Sequence, residues 1–325
     1  MNLRATNAMA AVAMAVVAGW AGVAVGQVNP DRVDPTVAPG PTAAGARAKP
    51  TGKQGLQTSL SLGGSYTFAS NLEDGRGDYS VTRAGSDTSL LYSTSENFAL
   101  LLEISQEWSW YDFDPSSQGI TQGIGKPLSQ VVTTRVSPGI NYRIDDRWGV
   151  LLGASIESTG ETDADFSDTL NYGAIVAASY KVNDNFSLSF GAAAQSRLED
   201  DIQVIPIVGF DWRITEKWRA GVRGPGAQLT YSPSESWDFT LQGSFESREY
   251  RLADDSPIPE GVLRDRRVVV GLQAQWTPRP WLTLRAEGGV VVWSELEFDD
   301  RNGDGLDTLE ADPTGYVGLS GTVRF

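Results

Sequence analysis

The sequence predicts an all-β chain: a transmembrane antiparallel up-and-down β-barrel of about fourteen strands. Three observations carry that expectation. Apolar and polar residues alternate with period two over long stretches, an aromatic–turn–aromatic unit recurs six times, and short turns at one rim oppose long acidic connections at the other.

The recurring unit comprises Tyr92–Phe98, Tyr142–Trp148, Tyr180–Phe186, Trp212–Trp218, Tyr231–Trp237 and Trp276–Trp281. Between each pair of aromatics lie four or five mostly polar residues rich in Asn, Asp, Ser and Pro, the residues that adopt turn conformations most readily. Both flanks then alternate. Leu100, Leu102 and Ile104 oppose Glu103, Ser105 and Glu107, while Val268, Val270, Leu272 and Ala274 oppose Arg267, Gly271, Gln273 and Gln275. A strand of this kind has one apolar and one polar face. The twelve aromatics beside the turns form one membrane girdle, because a Trp or Tyr ring buries its body in the apolar layer and leaves its polar edge at the headgroups.

The opposite connections (70–78, 112–128, 158–168, 197–202, 251–262 and 294–313) are longer and acidic. Short periplasmic turns with long extracellular loops are the arrangement of outer-membrane barrels. Six turns join twelve strands, and residues 57–69 and 314–325 bring the count to fourteen. The hairpin at 218–231 is the short one, and twelve strands is the alternative if it does not span. Pro138 and Pro206 fall inside expected strands, where each removes a ladder hydrogen bond, and Pro138-Gly139 suggests a bulge.

Composition narrows the chemistry. The 325 residues contain 26 Lys+Arg against 41 Asp+Glu, a net charge of −15, and neither Cys nor His. Disulfide scaffolds, thiol catalysis and His-based triads are excluded, and so acidic a chain is not a nucleic-acid binder. Residues 8–26 are an uncharged apolar run after Arg4 that ends in small residues, so 1–26 reads as a signal peptide cleaved before Gln27. Residues 27–55 carry five prolines among Ala, Gly and Thr and no aromatic, and read as a disordered periplasmic tail; 56–325 is the barrel.

The polar faces line the interior. This places Arg83, Arg135, Arg143, Arg213, Arg219, Arg223, Arg248, Arg267 and Arg285 there, with Glu103, Glu107, Glu157, Asp211, Asp238, Glu246 and Glu287 as acidic partners. Salt-bridge ladders between neighbouring strands are one outcome of that placement, and a water-filled constriction with a transverse field is the other. Small Ser, Gly and Thr at other inward positions favour an open lumen.

The chain ends Tyr316-Val-Gly-Leu-Ser-Gly-Thr-Val-Arg-Phe325, with Val317, Leu319, Gly321, Val323 and Phe325 on one face. This strand resembles the terminal strand of bacterial outer-membrane proteins, and 56–325 is similar to the small porin-like barrels grouped only as domains of unknown function. The resemblance implies an outer-membrane location in a Gram-negative-type envelope, with Phe325 in the signal read by the barrel-assembly machinery and the lipid bilayer as partner.

Within 294–313, Asp300, Asn302, Asp304 and Asp307 resemble the start of an EF-hand calcium loop, although Ala311 stands where a bidentate Glu is expected. Calcium is the one cofactor this suggests. An enzyme is not expected: outer-membrane hydrolases resemble one another in using a His base, and Glu103 and Glu107, four residues apart on one strand, are about 13 Å apart, beyond the reach of paired carboxylates. The functional expectation is a porin-like channel for passive diffusion of small polar solutes. The alternatives are a structural or surface-interaction barrel with a plugged lumen and cation-binding loops, and a transporter of hydrophobic small molecules.

Overall fold

A computed structural model describes residues 55–114, 128 and 130–325. The leader at 1–26 and the tail, apart from Gly55, lie outside the described residues. The strands are β1 (Gly55–Asn71), β2 (Asp78–Ser93), β3 (Phe98–Phe113), β4 (Gln130–Arg143), β5 (Trp148–Glu161), β6 (Leu170–Asn183), β7 (Phe186–Arg197) and β8 (Asp200–Arg213), then β9 (Trp218–Arg223), β10 (Gly226–Ser234), β11 (Trp237–Arg251), β12 (Val262–Arg279), β13 (Leu282–Asp299), β14 (Gly305–Ala311) and β15 (Thr314–Arg324). From β1 to β13 each strand pairs antiparallel with the next, and β15 closes the ring between β13 and β1. β14 and β15 pair with successive lengths of β13, Ser294↔Ala311 and Val291↔Thr314. They are one wall position interrupted at Asp312-Pro313, so fifteen strands make a closed fourteen-strand barrel with one extra piece.

Two of the aromatic turns, Tyr142–Trp148 and Trp212–Trp218, share a local cause. Ile144 and Ile214 donate their backbone N–H to the carbonyls of Trp148 and Trp218, each at 2.9 Å. Inside these turns the Asp145 carboxylate accepts from the N–H groups of Arg147 and Trp148, and the Thr215 hydroxyl accepts from those of Lys217 and Trp218. The two amides hold the Asp145 carboxyl below the usual carboxylate range. Its contribution to turn stability is therefore present above the ordinary carboxylate pKa and lost as pH falls through the lowered one. Asp145→Ala is expected to lower the unfolding midpoint at pH 7 and to leave it unchanged in strong acid; equal losses at both pH values would contradict the cap.

The hairpin in doubt forms. β9 and β10 pair from Tyr231↔Trp218 to Arg223↔Gly226, with Gly224 at φ +51° in the tight turn, a conformation that suits glycine. Pro138 produces no register shift: the β4–β5 partners stop at Val136↔Ile156 and resume at Gly139↔Gly153 in the same register. The ladder is interrupted there rather than bulged. A bulge does occur in β13, where Val268 and Val269 pair with Trp293 and Val291, so Val292 is extra. The inserted residue moves Ser294, Leu296 and Phe298 onto the buried face.

Leu100, Ile104, Val270, Leu272 and Leu319 are exposed on the outer face, as a lipid-facing belt requires. β12 and β13, at 18 residues each, exceed the belt. Eighteen residues tilted near 40° rise about 45 Å, against an apolar band of about 25 Å. Their loop-side ends instead carry an outward ladder of Arg266 with Glu295 (3.1 Å) and Glu297 (2.8 Å), which belongs in water.

Candidate functional site in the barrel interior

Side chains on strands that are not neighbours can meet only across the lumen, and several do. The Arg83 guanidinium of β2 binds Asp265 of β12 at 2.7 Å, and the Tyr111 hydroxyl of β3 donates to the same carboxylate at 2.6 Å. Tyr111 lies edge-to-face on Tyr250 of β11. One layer nearer the turns, Glu246 accepts from Arg248 (2.7 Å) and Arg267 (2.5 Å), Arg248 reaches Glu107 of β3 (3.4 Å), and Arg267 donates to Thr67 of β1 (3.3 Å). Above this polar floor lies a buried apolar cluster that includes Tyr79, Val81, Phe113, Leu128, Leu263, Leu296, Phe298 and Leu309.

Every member of that cluster comes from β2–β4, β11–β14 or the connections beside them; β6 to β10 supply none. The strand path accounts for this. At its loop-side end β11 leans across to β5, pairing Arg251↔Gly160, and the Thr159 hydroxyl donates to the Glu249 carbonyl at 3.0 Å. Gly160 permits the approach, since a Cβ there would lie 2.8 Å from the Arg251 carbonyl oxygen. The barrel thus narrows on the loop side to a buried neck of β1–β5 and β11–β15, and the tops of β6–β8 lie outside it.

Below the neck the two walls differ in chemistry. The side formed by β10–β15 carries charge and amide: Arg285 donates to Gln275 (3.0 Å), which donates to Asp238 (3.1 Å), and Gln242 donates to Glu287 (3.3 Å). The inward positions of β5–β8 include Gly149, Gly153, Ser155, Gly173, Ser179, Ser189, Gly191 and Gly209. Arg135–Glu157 (2.5 Å) and Arg219–Asp211 (2.5 Å) are ladder pairs between adjacent strands, and Arg223 shares Asp211 at 3.6 Å. Glu103 lies on the inward face of β3, whereas Arg143 and Arg213 sit exposed at the turn rim. Arg143 and Arg213 are thus not interior charges, and the others with contacts named above divide between cross-lumen contacts and ladders within the wall.

Sequence reasoning missed Asp265, Tyr111 and Tyr250, the residues that join the walls. Alternation carried back from Arg267 would have reached Asp265, and carried forward from Ser109 would have reached Tyr111 and Phe113.

At the turn rim Tyr92, Tyr142, Trp148, Trp212, Trp218, Trp237, Trp276 and Trp281 are exposed. Tyr180 lies tilted against Trp148 at 4.7 Å, Tyr231 against Trp218 at 4.8 Å and Phe186 against Phe210 at 6.1 Å, and Tyr180, Tyr231, Phe186 and Phe98 are only half-exposed. Phe325 is exposed at the end of β15. In the acidic loop, Asp300 accepts the backbone N–H groups of Asn302 and Asp304, which hold its carboxyl below the usual range, and Asp307 pairs with Arg76 at 2.7 Å. Among the described residues no group of three acidic side chains is placed to hold a metal.

Closure, the lipid-facing belt and the inward charges define the class: a transmembrane β-barrel of fourteen strands. The chain belongs to the DUF6268 family, described as a domain of unknown function, whose model matches residues 129–307. No curated protein matches the sequence. Among solved structures it is similar to the toluene transporter TodX of Pseudomonas putida, with 9% identity over 84% of this chain and 91% of that one at a TM-score of 0.47. An outer membrane channel from Pseudomonas putida F1 shows 10% identity over 85% and 98% at 0.46, and a Pseudomonas aeruginosa FadL homologue shows 11% over 82% and 89% at 0.45.

Proposed function

We propose that the protein is a solute channel of the outer membrane whose axial path is shut at rest by its own neck. Small polar solutes enter the turn-side lumen, which is lined by paired charges on one side and by small residues on the other. The C-terminal strand with Phe325 serves assembly into that membrane.

The observation that carries this reading is the floor of the neck. A permanent plug is best built of hydrocarbon, because buried polar groups are costly unless every one is satisfied. Here Arg83 Nε and Nη1 and Asp265 Oδ1 are buried without hydrogen-bond partners among the described residues. Each such atom costs about 1–3 kcal/mol in the closed state, and water entering the neck would recover it. That imbalance favours a closure that opens over one that only fills space.

Planar-bilayer recording tests it. Wild-type protein should show brief, infrequent openings, and the double variant Tyr111→Ala/Tyr250→Ala should raise the mean current about tenfold, the change that about 1.4 kcal/mol of lost closed-state contact produces. A large steady wild-type current that the variant does not alter would point to an open porin. Silence in both would point to a structural barrel.

A further inference from the structure

The barrel wall is incomplete beside the short hairpin. β8 pairs with β9 only from Phe210↔Val222 to Arg213↔Arg219, and β11 pairs with β10 no further than Ser244↔Gly226. Towards the loops, residues 200–209 of β8 and 245–251 of β11 flank a gap in the ladder. The Gly224-Pro225 turn closes it below, where Phe245 donates its N–H to the Pro225 carbonyl at 3.2 Å. Ion pairs close it above: Arg197–Glu249 at 2.7 Å, Arg264–Asp200 at 3.7 Å and Arg251–Glu199.

The gap lies at membrane depth. Val208 and Val204 are four and eight residues from the girdle residue Trp212, which places them about 10 Å and about 20 Å into an apolar band of about 25 Å. An open strand edge at that depth leaves backbone groups without water, and it is tolerated only where it borders a cavity or is covered. Pro206, on this stretch of β8, removes one donor.

β8 also abandons alternation here and nowhere lower. Ile202, Val204 and Val208 point outwards and are 71%, 67% and 58% exposed, while Ile205 and Ile207 on the other face are apolar as well. The margin of the gap is hydrocarbon on both faces. Just beneath it, Arg219 and Arg223 share the single carboxylate of Asp211, so the inner side of the gap carries a net positive charge.

From this juxtaposition we infer that the gap is a lateral binding and exit site for a single-chain amphiphile, its hydrocarbon chain against Ile205 and Ile207 and its anionic head at Arg223. The buried neck blocks the axial path, and the gap is the side route between the polar lumen and the bilayer. The inference rests on the channel reading and adds amphiphiles, at the wall, to the polar solutes of the lumen.

Photolabelling tests it without requiring transport, so its failure and that of the conductance experiment are separable. The protein is reconstituted in vesicles of zwitterionic lipid and labelled with dodecanoate bearing a terminal diazirine, or with the matching dodecanol. The expected result is dodecanoate adducts concentrated on residues 202–208 and 245–249. Arg223→Gln should weaken dodecanoate labelling about tenfold, the usual size of a charge-assisted contact, and leave dodecanol labelling unchanged. Ile205→Asn/Ile207→Asn should reduce both. Labelling spread evenly around the apolar belt would overturn the site, and concentrated labelling that Arg223→Gln leaves unchanged would overturn the placement of the head.

Discussion

Arg83→Ala is expected to lower the unfolding free energy by about 3–5 kcal/mol, because it leaves the Asp265 carboxylate buried with no opposing charge. Asp265 is 1% exposed, and after the substitution the Tyr111 hydroxyl would be its remaining donor at the neck. Asp265→Ala is expected to cost a similar amount for the converse reason. The double variant Arg83→Leu/Asp265→Leu should be more stable than either single one, since removing both charges also removes the desolvation cost that each imposes. Urea unfolding in lipid vesicles, followed by tryptophan fluorescence, reads all three. A loss below about 1 kcal/mol for Arg83→Ala would mean that water already solvates the pair, as at a surface salt bridge, and the neck would not be dry.

The same pair shows where the sequence was legible and where it was not. Turn chemistry, alternation and strand count are local properties, so the aromatic turns, the outward Leu100 and Val270 rows and even the six-residue β9 could be read from neighbouring residues. The inward parity of Arg83, Glu107, Glu246 and Arg267 follows from the same period. The partner of each is a different matter, because Arg83 and Asp265 are 182 residues apart. In the sequence Arg264-Asp265-Arg266-Arg267 reads as a charged approach to a strand, with no sign that its second member crosses the lumen. The neck is hidden for the same reason. It exists because β11 leans onto Gly160 of β5, a contact between distant strands on which no periodicity bears. The gap beside β8 could have been suspected, since Ile202–Val208 departs from alternation and Pro206 lies within it, but both register as exceptions until the length of the facing hairpin is known.

Gly289→Ala is the second substitution with a large expected cost, and its cause is steric. Tyr316 lies on the inner wall across two glycines of adjacent strands, Gly271 of β12 and Gly289 of β13. A Cβ at Gly289 would fall on the Val270 carbonyl oxygen, 2.5 Å from Gly271 Cα and 2.9 Å from Tyr316 Cε1. Two of these three neighbours are backbone, so relief requires the β12–β13 ladder to part. The expected loss is about 3 kcal/mol, the upper end of what an added methyl costs in a packed site. Gly271→Ala meets mainly the Tyr316 side chain, with the nearest backbone atom, Gly288 O, at 3.1 Å. Its cost should therefore fall when Tyr316→Ala is added, whereas that of Gly289→Ala should persist in the same background. Gly321→Ala is the control, because its nearest neighbour is Leu284 Cδ2 at 3.4 Å, an ordinary contact. Unfolding midpoints of the three glycine variants, of Tyr316→Ala and of its two double variants decide the matter. Rescue of Gly289→Ala by Tyr316→Ala would show that the ring, and not the close approach of two strands, sets the requirement for glycine.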